Sequence, residues 1–287
     1  MSIGKTKSVL ITGCSPGGIG HALAREFHAK GLHVIATARS KDAIEDLEAM
    51  GMSTLTLEVT SADSIKEARG EVERITGGKL DILVNNAGRN CTIPALDADL
   101  DDARACFETN LFAVMALTQS FIPLLIAAKG LILNIGSVAA VTPYVFGSVY
   151  NASKAALHSW SETLRLEIEP FGVRVLVVVT GGVKSRIART ERALPEGSLY
   201  VEIGEDFQRR VKHSQEGAMA TDVYARGVVR EALRSGWAMK KLYWRGNKSG
   251  LIWLVRNWIG AWVFDLVLPR MFGLGRLAKL IRARGGK

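Results

Sequence analysis

Short apolar runs alternate with longer amphipathic stretches along most of the chain. The apolar runs are rich in β-branched residues and are bounded by glycine or polar residues, which is typical of strands buried in a parallel sheet. They predict six strands: Ser8–Thr12, Leu32–Thr37, Thr54–Val59, Ile82–Asn85, Leu131–Ile135 and Val173–Val179. The stretches between them predict five helices: Ile19–Lys30, Lys41–Met50, Ala62–Thr76, Asp101–Ala128 and Tyr150–Pro170.

This alternation of strand and helix predicts the fold class. Strands separated by helices form parallel sheets that are covered on both faces, and the crossovers between them are right-handed. We therefore expect an α/β protein with a doubly wound, Rossmann-like parallel sheet. With 287 residues, of which 48% are hydrophobic, the chain is long enough for one large domain or two small ones.

Residues 184–217, called the lid segment below, do not follow this alternation of strands and helices. This segment is long and charged, and it contains the turn sequence Pro195-Glu-Gly197. Unstructured segments of this length in compact domains are usually functional. Because it follows the sixth predicted strand, at the edge where open α/β sheets bind ligands, we expect it to cover a substrate.

A glycine-rich turn joins the first predicted strand to the first helix. Glycines at such a turn let the backbone approach a pyrophosphate, whose charge is favourable at the helix N-terminus. The turn predicts a dinucleotide site with the contacts Gly13, Ser15, Gly18, Ile19 and Gly20. Arg39 ends the second strand, where an NAD enzyme generally has an acid. An arginine there can bind a 2′-phosphate, so we expect NADP(H); the alternative is a solvated arginine.

A second group of residues indicates acid–base chemistry. Ser137 follows the fifth strand, and Tyr150 is the only one of the five tyrosines with a lysine, Lys154, four residues later. That spacing places both side chains on one helix face. A free phenol has a pKa of about 10. We expect the ammonium of Lys154 and an oxidised nicotinamide to lower the pKa of Tyr150, so that it exchanges a proton with a substrate oxygen.

These motifs resemble those of the short-chain dehydrogenase/reductase family, in order and spacing, from about Lys5 to Gly246. The resemblance rests on Gly13 to Gly20, Asn85-Asn-Ala-Gly88, Asn110, Ser137 and Tyr150-x-x-x-Lys154. It implies that Ser137, Tyr150 and Lys154 are catalytic and that Asn110 holds a water in a proton relay. It further implies cofactor contacts at Glu58, Val59, Asn86, Ala87, Gly88, Tyr150, Lys154, Val183 and Ser185.

Three features depart from the family pattern. The glycine turn, Thr12 to Gly20, has one extra residue. Glu58 replaces the usual aspartate before Val59. The sequence Thr180-Gly-Gly-Val-Lys-Ser185 replaces the usual P-G-x-x-x-T but keeps a hydroxyl at its end.

Within the family, three stretches are similar to fungal NADPH-dependent 1-acyldihydroxyacetone-phosphate reductases: Lys79–Asp97, Phe146–Tyr150 and Thr180–Val183. This similarity implies reduction of the ketone of an acylated triose phosphate to 1-acylglycerol 3-phosphate. Lys184, Arg186 and Arg189 of the lid segment could bind the substrate phosphate; the alternative is a solvated run of charges. One alternative is a polyketide, terpenoid or sterol ketone or alcohol in secondary metabolism. Another is a non-enzymatic, dinucleotide-sensing membrane scaffold. Members of this family often pair through the helices that correspond to those holding Asn110 and Tyr150, so the resemblance implies a possible homodimer.

The C-terminal part of the chain differs from the rest in charge and aromatic content. Residues 234–287 carry 12 Lys/Arg and one acid, a net charge of 12 − 1 = +11, whereas residues 1–233 carry 25 − 27 = −2. Five of the six tryptophans lie between Trp237 and Trp262. At helical spacing one apolar stripe contains Leu251, Ile252, Val255, Trp258, Ile259, Trp262 and Leu266. We therefore divide the chain into a catalytic domain, 1–246, and an amphipathic, membrane-associating tail, 247–287.

Other roles for the tail stay open. The stripe could fold over the domain, form an oligomer contact, or enter the membrane as a hairpin or span. We do not expect nucleic acid as a partner, because aromatic residues in an apolar stripe suit a lipid surface better than the phosphate backbone of a nucleic acid. The chain opens without a secretory pattern, and its three cysteines and five histidines have no ligand spacing. We expect a reduced, metal-free, intracellular protein on the cytosolic face of the endoplasmic reticulum or a lipid droplet.

Overall fold

The computed structural model of the chain, which describes residues 6–188 and 192–285, is built around one parallel sheet. Its strands are β1 (Ser8–Ile11), β2 (His33–Ala38), β3 (Ser53–Thr56), β4 (Ile82–Asn85), β5 (Leu131–Ile135), β6 (Arg174–Thr180) and β7 (Leu242–Arg245). They lie in the order β3-β2-β1-β4-β5-β6-β7. The predicted doubly wound, Rossmann-like sheet is therefore confirmed, and β7 is an addition that the sequence pattern did not predict.

Helices cover both faces of the sheet. They are α1 (Ile19–Ala29), α2 (Glu45–Ala49), α3 (Ala62–Thr76), α4 (Leu100–Phe107), α5 (Ala113–Ala128), α6 (Ser148–Ile168), α7 (Gly204–His213), α8 (Thr221–Ala232), α9 (Ser249–Leu254), α10 (Trp262–Met271) and α11 (Leu274–Gly285). Successive strand residues point to opposite faces. Thus Val9 and Ile11 pack with α1 and α8, whereas Leu10 packs with α3 and α5.

The strand order reverses direction at the pair β1 and β4, whose residues Leu10 and Leu83 are register partners. Open α/β sheets bind ligands in the crevice that such a reversal leaves at the carboxyl ends of the strands. The turn that follows β1 and the segment that follows β4 therefore come together at one edge of the sheet.

The long predicted helix 101–128 is divided by a π-helical turn, Glu108–Phe112, which joins α4 to α5. The joined helix, Leu100–Ala128, is the one described segment long and apolar enough to cross a membrane. Its residues Leu117 and Phe121 are fully packed against the sheet. The core position of this face explains part of the apolar character of the helix, because 39% of its most apolar stretch is buried.

The lid segment is more ordered than the sequence pattern predicts. It contains the 3₁₀ turn Val201–Ile203 and the whole of α7. Ile203, Phe207 and Val211 of this segment are buried in a third hydrophobic cluster, outside the two that cover the sheet. The helical pattern was missed because most of its other residues are charged.

The tail shares that third cluster with the lid segment. Phe272, 1% exposed, and Leu277 pack against α7, and Arg276 forms a salt bridge with Asp206 at 2.6 Å. The predicted stripe is not continuous, because a π-helical turn, Val255–Ile259, and Gly260 with φ of 120° separate α9 from α10. The tail thus folds over the domain with its second half and leaves its first half largely exposed.

Candidate active site

A cleft of about 830 Å³ opens at the carboxyl ends of the strands. The structure brings most of the predicted site residues together in its lining: Gly13, Ser15, Gly18, Ile19, Arg39, Glu58, Val59, Asn86, Ala87, Gly88, Ser137, Tyr150, Lys154, Val183 and Ser185. Gly20 and Asn110 lie behind this lining. The cleft joins the predicted nucleotide site to the predicted catalytic residues.

The structure assigns a position to each glycine of the turn after β1. Gly18 is the N-cap of α1, and no side chain caps the helix there. A Cβ at Gly20 would overlap the carbonyl oxygen of Gly13 and lie 2.5 Å from Asn86 Nδ2. Pro16 and Gly17 form an exposed bend within this turn. The absence of side chains at these glycines, at the N-terminus of α1, fits a bound pyrophosphate.

Thr12 and Asn86 tie this turn to the segment after β4. Thr12 Oγ1 accepts hydrogen bonds from the backbone N–H groups of Asn86 and Ala87 at 3.0 and 2.9 Å. Asn86 Nδ2 donates to the carbonyls of Thr12 and Gly13 at 2.8 and 3.0 Å. The amide of Asn86 therefore shapes the turn, and its backbone lines the cleft.

Arg39 is exposed at the opposite end of the cleft from the catalytic residues. Among the described residues no carboxylate oxygen lies within 4.0 Å of it. Glu58 beside it is engaged, because its carboxylate accepts hydrogen bonds from the backbone N–H and the hydroxyl of Thr60 at 3.2 and 3.0 Å. Arg39 is thus a cation that no described residue pairs with, as a 2′-phosphate site requires.

Tyr150, Ser137 and Lys154 meet at the floor of the cleft. Ser137 follows β5, and its hydroxyl is hydrogen-bonded to that of Tyr150 on α6. Lys154, one turn further along α6, donates from Nζ to the carbonyl of Ile135 at 3.0 Å. Two hydroxyls and an ammonium group therefore face the same end of the cleft.

The electrostatics of Tyr150 differ from the sequence-based expectation. Burial raises the pKa of Tyr150 to about 12; its hydrogen bond with Ser137 and the charge of Arg210 act against this rise. Burial also lowers the pKa of Lys154 to about 8. Lys154 was expected to lower the pKa of Tyr150, but that expectation is wrong for the protein itself. Periodicity identified the shared helix face and carried no information about desolvation, which dominates here.

Asn110 lies in the π-helical turn between α4 and α5. Its Oδ1 accepts from the backbone N–H of Arg89 at 2.8 Å, and its Nδ2 donates to the Arg89 carbonyl and to Ser153 Oγ at 2.9 and 3.0 Å. The side chain therefore positions the segment after Gly88 against α6. The expected water-holding role of Asn110 stays a prediction, and it would involve atoms other than this side-chain amide.

His158 is a site residue that the sequence reasoning missed. Its Nε2 accepts a hydrogen bond from the backbone N–H of Ser137 at 3.2 Å. Burial, together with Lys154 and Arg256, lowers the pKa of His158 to about 4, so the ring is neutral at pH 7. The signal was present, because Tyr150, Lys154 and His158 are spaced by four residues along one helix.

Val183 and Ser185 line the cleft after β6, as the family pattern implies. Val183 is 4% exposed and pairs with Met219 through an isolated bridge. The backbone N–H of Ser185 donates to Gln215 Oε1 at 3.0 Å. The lid segment thus holds this edge of the cleft in place.

The cations that the sequence proposed for a substrate phosphate do not meet near Tyr150. Arg186 Nη1 donates to the carbonyl of Pro16 at 3.2 Å, so it lies over the glycine turn. Lys184 is exposed and is not part of the described cleft lining. Arg189 lies outside the described residues. The lid segment instead brings Arg210 and His213 into the cleft, which no local pattern distinguished from neighbouring basic residues.

The fold and the site define a dinucleotide-dependent oxidoreductase. The chain belongs to the short-chain dehydrogenase/reductase family, since residues 7–195 match the family described as short chain dehydrogenase. The predicted family and enzyme class are thereby confirmed over the non-enzymatic alternative.

Similar proteins support this assignment. The short-chain dehydrogenase srdE of Neurospora crassa is 41% identical over 274 residues, which cover 95% of this chain and 94% of that protein. The NADPH-dependent 1-acyldihydroxyacetone phosphate reductase of Schizosaccharomyces pombe is 46% identical over 200 residues, 68% of each chain. A short-chain dehydrogenase structure from Streptomyces avermitilis has 28% identity and a TM-score of 0.76, covering 97% of this chain and 98% of that one.

One solved relative bears on the cofactor. A metagenomic short-chain oxidoreductase in complex with NADP is 26% identical, has a TM-score of 0.65, and covers 83% of this chain and 96% of that one. The NADP in that complex and the NADPH dependence in the name of the Schizosaccharomyces pombe reductase agree with the NADP(H) prediction made from Arg39.

Proposed function

We propose that this protein uses NADPH to reduce the ketone of a lipophilic substrate. The observation that carries the proposal is that Tyr150, Ser137 and Lys154 share one cleft with the glycine turn and the unpaired Arg39. When bound, the reduced cofactor supplies a hydride. Arg39 would hold its 2′-phosphate, and the turn from Gly13 would hold its pyrophosphate.

The protein's own residues supply the proton and the orientation. Ser137 would donate a hydrogen bond to the ketone oxygen and hold it for attack. Tyr150 would give its proton to that oxygen as negative charge develops on it. Because burial raises the pKa of Tyr150 to about 12, the phenol carries its proton at pH 7, which favours reduction. Lys154, one helical turn further along α6 in the same cleft, would replace that proton.

The preferred substrate is 1-acyldihydroxyacetone phosphate, with 1-acylglycerol 3-phosphate as the product. The identity of 46% to the named reductase of Schizosaccharomyces pombe supports it. A polyketide, terpenoid or sterol ketone is the second candidate, because the match to the acyl-phosphate enzyme covers 68% of this chain and so leaves room for another lipophilic ketone.

NADPH oxidation, followed by absorbance, tests both the reaction and the substrate. The purified full-length protein is given 1-palmitoyl-dihydroxyacetone phosphate, the same ketone without phosphate, and a panel of polyketide and sterol ketones. We expect Tyr150→Phe to lower turnover by about 10²–10⁴-fold while NADPH still binds. Tyr243→Phe, a change of a buried tyrosine in β7, is the matched control and should keep activity. Turnover of no ketone by the wild type contradicts the proposal.

We also propose that the exposed half of the tail binds a membrane surface. Trp258 is 75% exposed and Trp262 is 58% exposed, a costly arrangement in water that suits a lipid interface. Lys279 and Arg282 of α11 are exposed and could meet anionic headgroups. On this basis the protein would reside on the cytosolic face of the endoplasmic reticulum or a lipid droplet, where its substrate is dissolved.

Vesicle sedimentation tests this attachment. Wild-type protein should pellet with phosphatidylcholine vesicles that contain phosphatidylserine, and Trp258→Glu with Trp262→Glu should stay in the supernatant. Leu96→Glu is the matched control, because Leu96 is 73% exposed outside the tail. Equal binding of both variants, or no binding by the wild type, would exclude the tail as the attachment site.

A homodimer is proposed through the helices that hold Asn110 and Tyr150. Leu100 and Phe112, near Asn110, are 67% and 50% exposed, which leaves apolar surface for a second copy. Light scattering gives the molar mass of each protein in solution. We expect the wild type to be a dimer and Phe112→Glu to be a monomer.

A further inference from the structure

Arg210 of α7 is a buried arginine in the wall of the cleft. Only 4% of its surface is exposed, and it is part of the cleft lining. Its Nε donates to the carbonyl of Val145 at 2.7 Å, and its guanidinium carbon lies 3.4 Å from the centroid of the Tyr144 ring. One hydrogen bond and one stacked ring therefore fix the plane of the guanidinium.

Within residues 6–188 and 192–285, no carboxylate neutralises Arg210. Among the described residues, no Asp or Glu oxygen lies within 4.0 Å of its guanidinium, and its two terminal nitrogens donate to no described group. Asp206 on the same helix is taken by Arg209 and Arg276. A buried charge without a partner is costly, so such groups are normally paired with a counter-ion. The pairing that the described residues do not supply is available to a ligand in the cleft.

The surrounding charges also favour an anion. His213 and Lys248 line the same part of the cleft, with Lys248 Nζ 3.5 Å from His213 Nε2. Glu216 lines it too, but no described cation pairs with Glu216 within 4.0 Å. With His213 neutral, Arg210 and Lys248 outnumber Glu216, so this region carries excess positive charge.

Arg210 lies on the substrate side of the cleft. Its contacts are Tyr144 and Val145, from the loop before α6, and Phe272 of the tail; none belongs to the glycine turn or to the strand end at Arg39. Its charge reaches Tyr150, since it acts to lower the pKa of that phenol. An anion bound to Arg210 would thus lie near the ketone that Tyr150 protonates.

We propose that Arg210 binds an oxyanion of the substrate, a phosphate or a carboxylate, and so selects lipophilic ketones that carry a negative group near the carbonyl. Two parallel N–H donors from the terminal nitrogens match two oxygens of such a group. The proposal names the substrate class of the proposed ketone reductase and rests on that function. It differs from the sequence-based candidates, Lys184 and Arg186, which the structure places elsewhere.

Calorimetric titration of the NADP⁺-saturated full-length protein tests the site without turnover. The probes are octyl phosphate, octanoate and octanol, which share one alkyl chain; saturation with NADP⁺ blocks the cofactor's own anion sites. We expect at least one of the two anions to bind about tenfold or more tightly than octanol. Arg210→Met should remove this difference. Lys212→Met, which removes an exposed charge from the same helix, should keep it.

The outcomes separate this proposal from the proposed function. Equal binding of all three probes to the wild type overturns the anion site even if neutral ketones are reduced. Anion preference that Arg210→Met and Lys212→Met retain alike also overturns it. Anion preference that depends on Arg210 supports the site even if no ketone in the panel is reduced. NADP⁺ binding by Arg210→Met shows that this variant is folded. If it does not fold, Arg210→Lys replaces it, because lysine keeps the charge but loses the planar guanidinium. Arg210→Lys should bind the preferred anion about tenfold more weakly than the wild type, and unchanged binding overturns the proposal.

Discussion

His158 Nε2 accepts a hydrogen bond from the backbone N–H of Ser137, at a distance of 3.2 Å. This bond joins the middle of α6 to the segment that follows β5 and so fixes the serine relative to Tyr150 on the same helix. The acceptor nitrogen must be unprotonated, which assigns the ring proton to Nδ1. His158 is therefore a positioning residue for the hydroxyl that is to hold the ketone.

Replacing His158 should affect turnover more than substrate binding. We expect His158→Leu, which removes the acceptor, to lower kcat by about 10-fold to 100-fold with a smaller change in KM, because small displacements of positioning groups cost about this much. His158→Gln offers an amide acceptor and should recover part of the loss. Steady-state kinetics of the two variants measure this; equal kcat values for both and the wild type would show that the bond has no role in catalysis.

The depressed pKa of His158 also predicts a pH dependence of stability. Burial, then Lys154 and Arg256, lower this pKa from 6.5 to about 4. The unfolded chain therefore takes up a proton in that window that the folded protein does not. The contribution of neutral His158 to the free energy of unfolding is about 3 kcal/mol. It is fully present above pH 6.5 and decreases as the pH falls towards 4. Urea unfolding at pH 7 and pH 4.5 should show a smaller loss for His158→Gln than for the wild type.

Arg39 should determine the preference between the two dinucleotides. We expect Arg39→Ala to lower kcat/KM for NADPH by about 10-fold to 100-fold and to leave kcat/KM for NADH nearly unchanged, because only NADPH has the phosphate that the guanidinium would bind. Arg25→Ala, an exposed change on α1, serves as the control. A wild-type ratio of kcat/KM for NADPH over NADH below one would overturn the assignment.

Gly20 should tolerate no side chain. A Cβ there would overlap the Gly13 carbonyl, so Gly20→Ala must shift the turn, and we expect a loss of about 1–3 kcal/mol in stability together with weaker NADPH binding. Gly70→Ala is the matched control, because nothing lies within 4 Å of a Cβ at that helical position. It should be neutral or stabilising by up to about 1 kcal/mol. Thermal unfolding with and without NADPH compares the two variants.

Phe272 tests whether the tail is part of the cooperative fold. It is 1% exposed against Tyr144 and His213, so Phe272→Ala should reduce the free energy of unfolding by about 3–5 kcal/mol. Phe171→Ala removes a ring that is 56% exposed and should change it by less than about 1 kcal/mol. If Phe272→Ala were no more destabilising than its control, the tail would unfold independently.

Local sequence patterns were sufficient for the sheet and for most of the cleft. The strands β4 and β5 and the helix α3 have the predicted bounds, because an uninterrupted apolar run or a helical stripe is a property of neighbouring residues. Strand β7 was missed because its four residues, Leu242 to Arg245, mix apolar and charged side chains within a region dominated by tryptophan and basic residues. It forms a strand by pairing with β6, which is distant in the chain.

Local sequence patterns did not predict the helices of the lid segment and the tail. Neither α7 nor α11 has an apolar face large enough to be recognised by itself. Phe207 of α7, Leu277 of α11 and Phe272, which precedes α11, are buried in one hydrophobic cluster. Salt bridges such as Arg276 to Asp206 complete the contact. A hydrophobic cluster that two distant segments form together cannot be predicted from the sequence of either segment alone.

The sequence by itself determined the family, the parallel α/β fold, the glycine turn and the residues Ser137, Tyr150 and Lys154, because these depend on short-range spacing. Only the tertiary structure decided the environment of those residues: that burial keeps Tyr150 protonated, that His158 orients Ser137, and that Arg210 enters the cleft with no carboxylate partner among the described residues. The physical reason is that desolvation and charge pairing depend on which distant groups surround an atom, and chain folding brings those groups together.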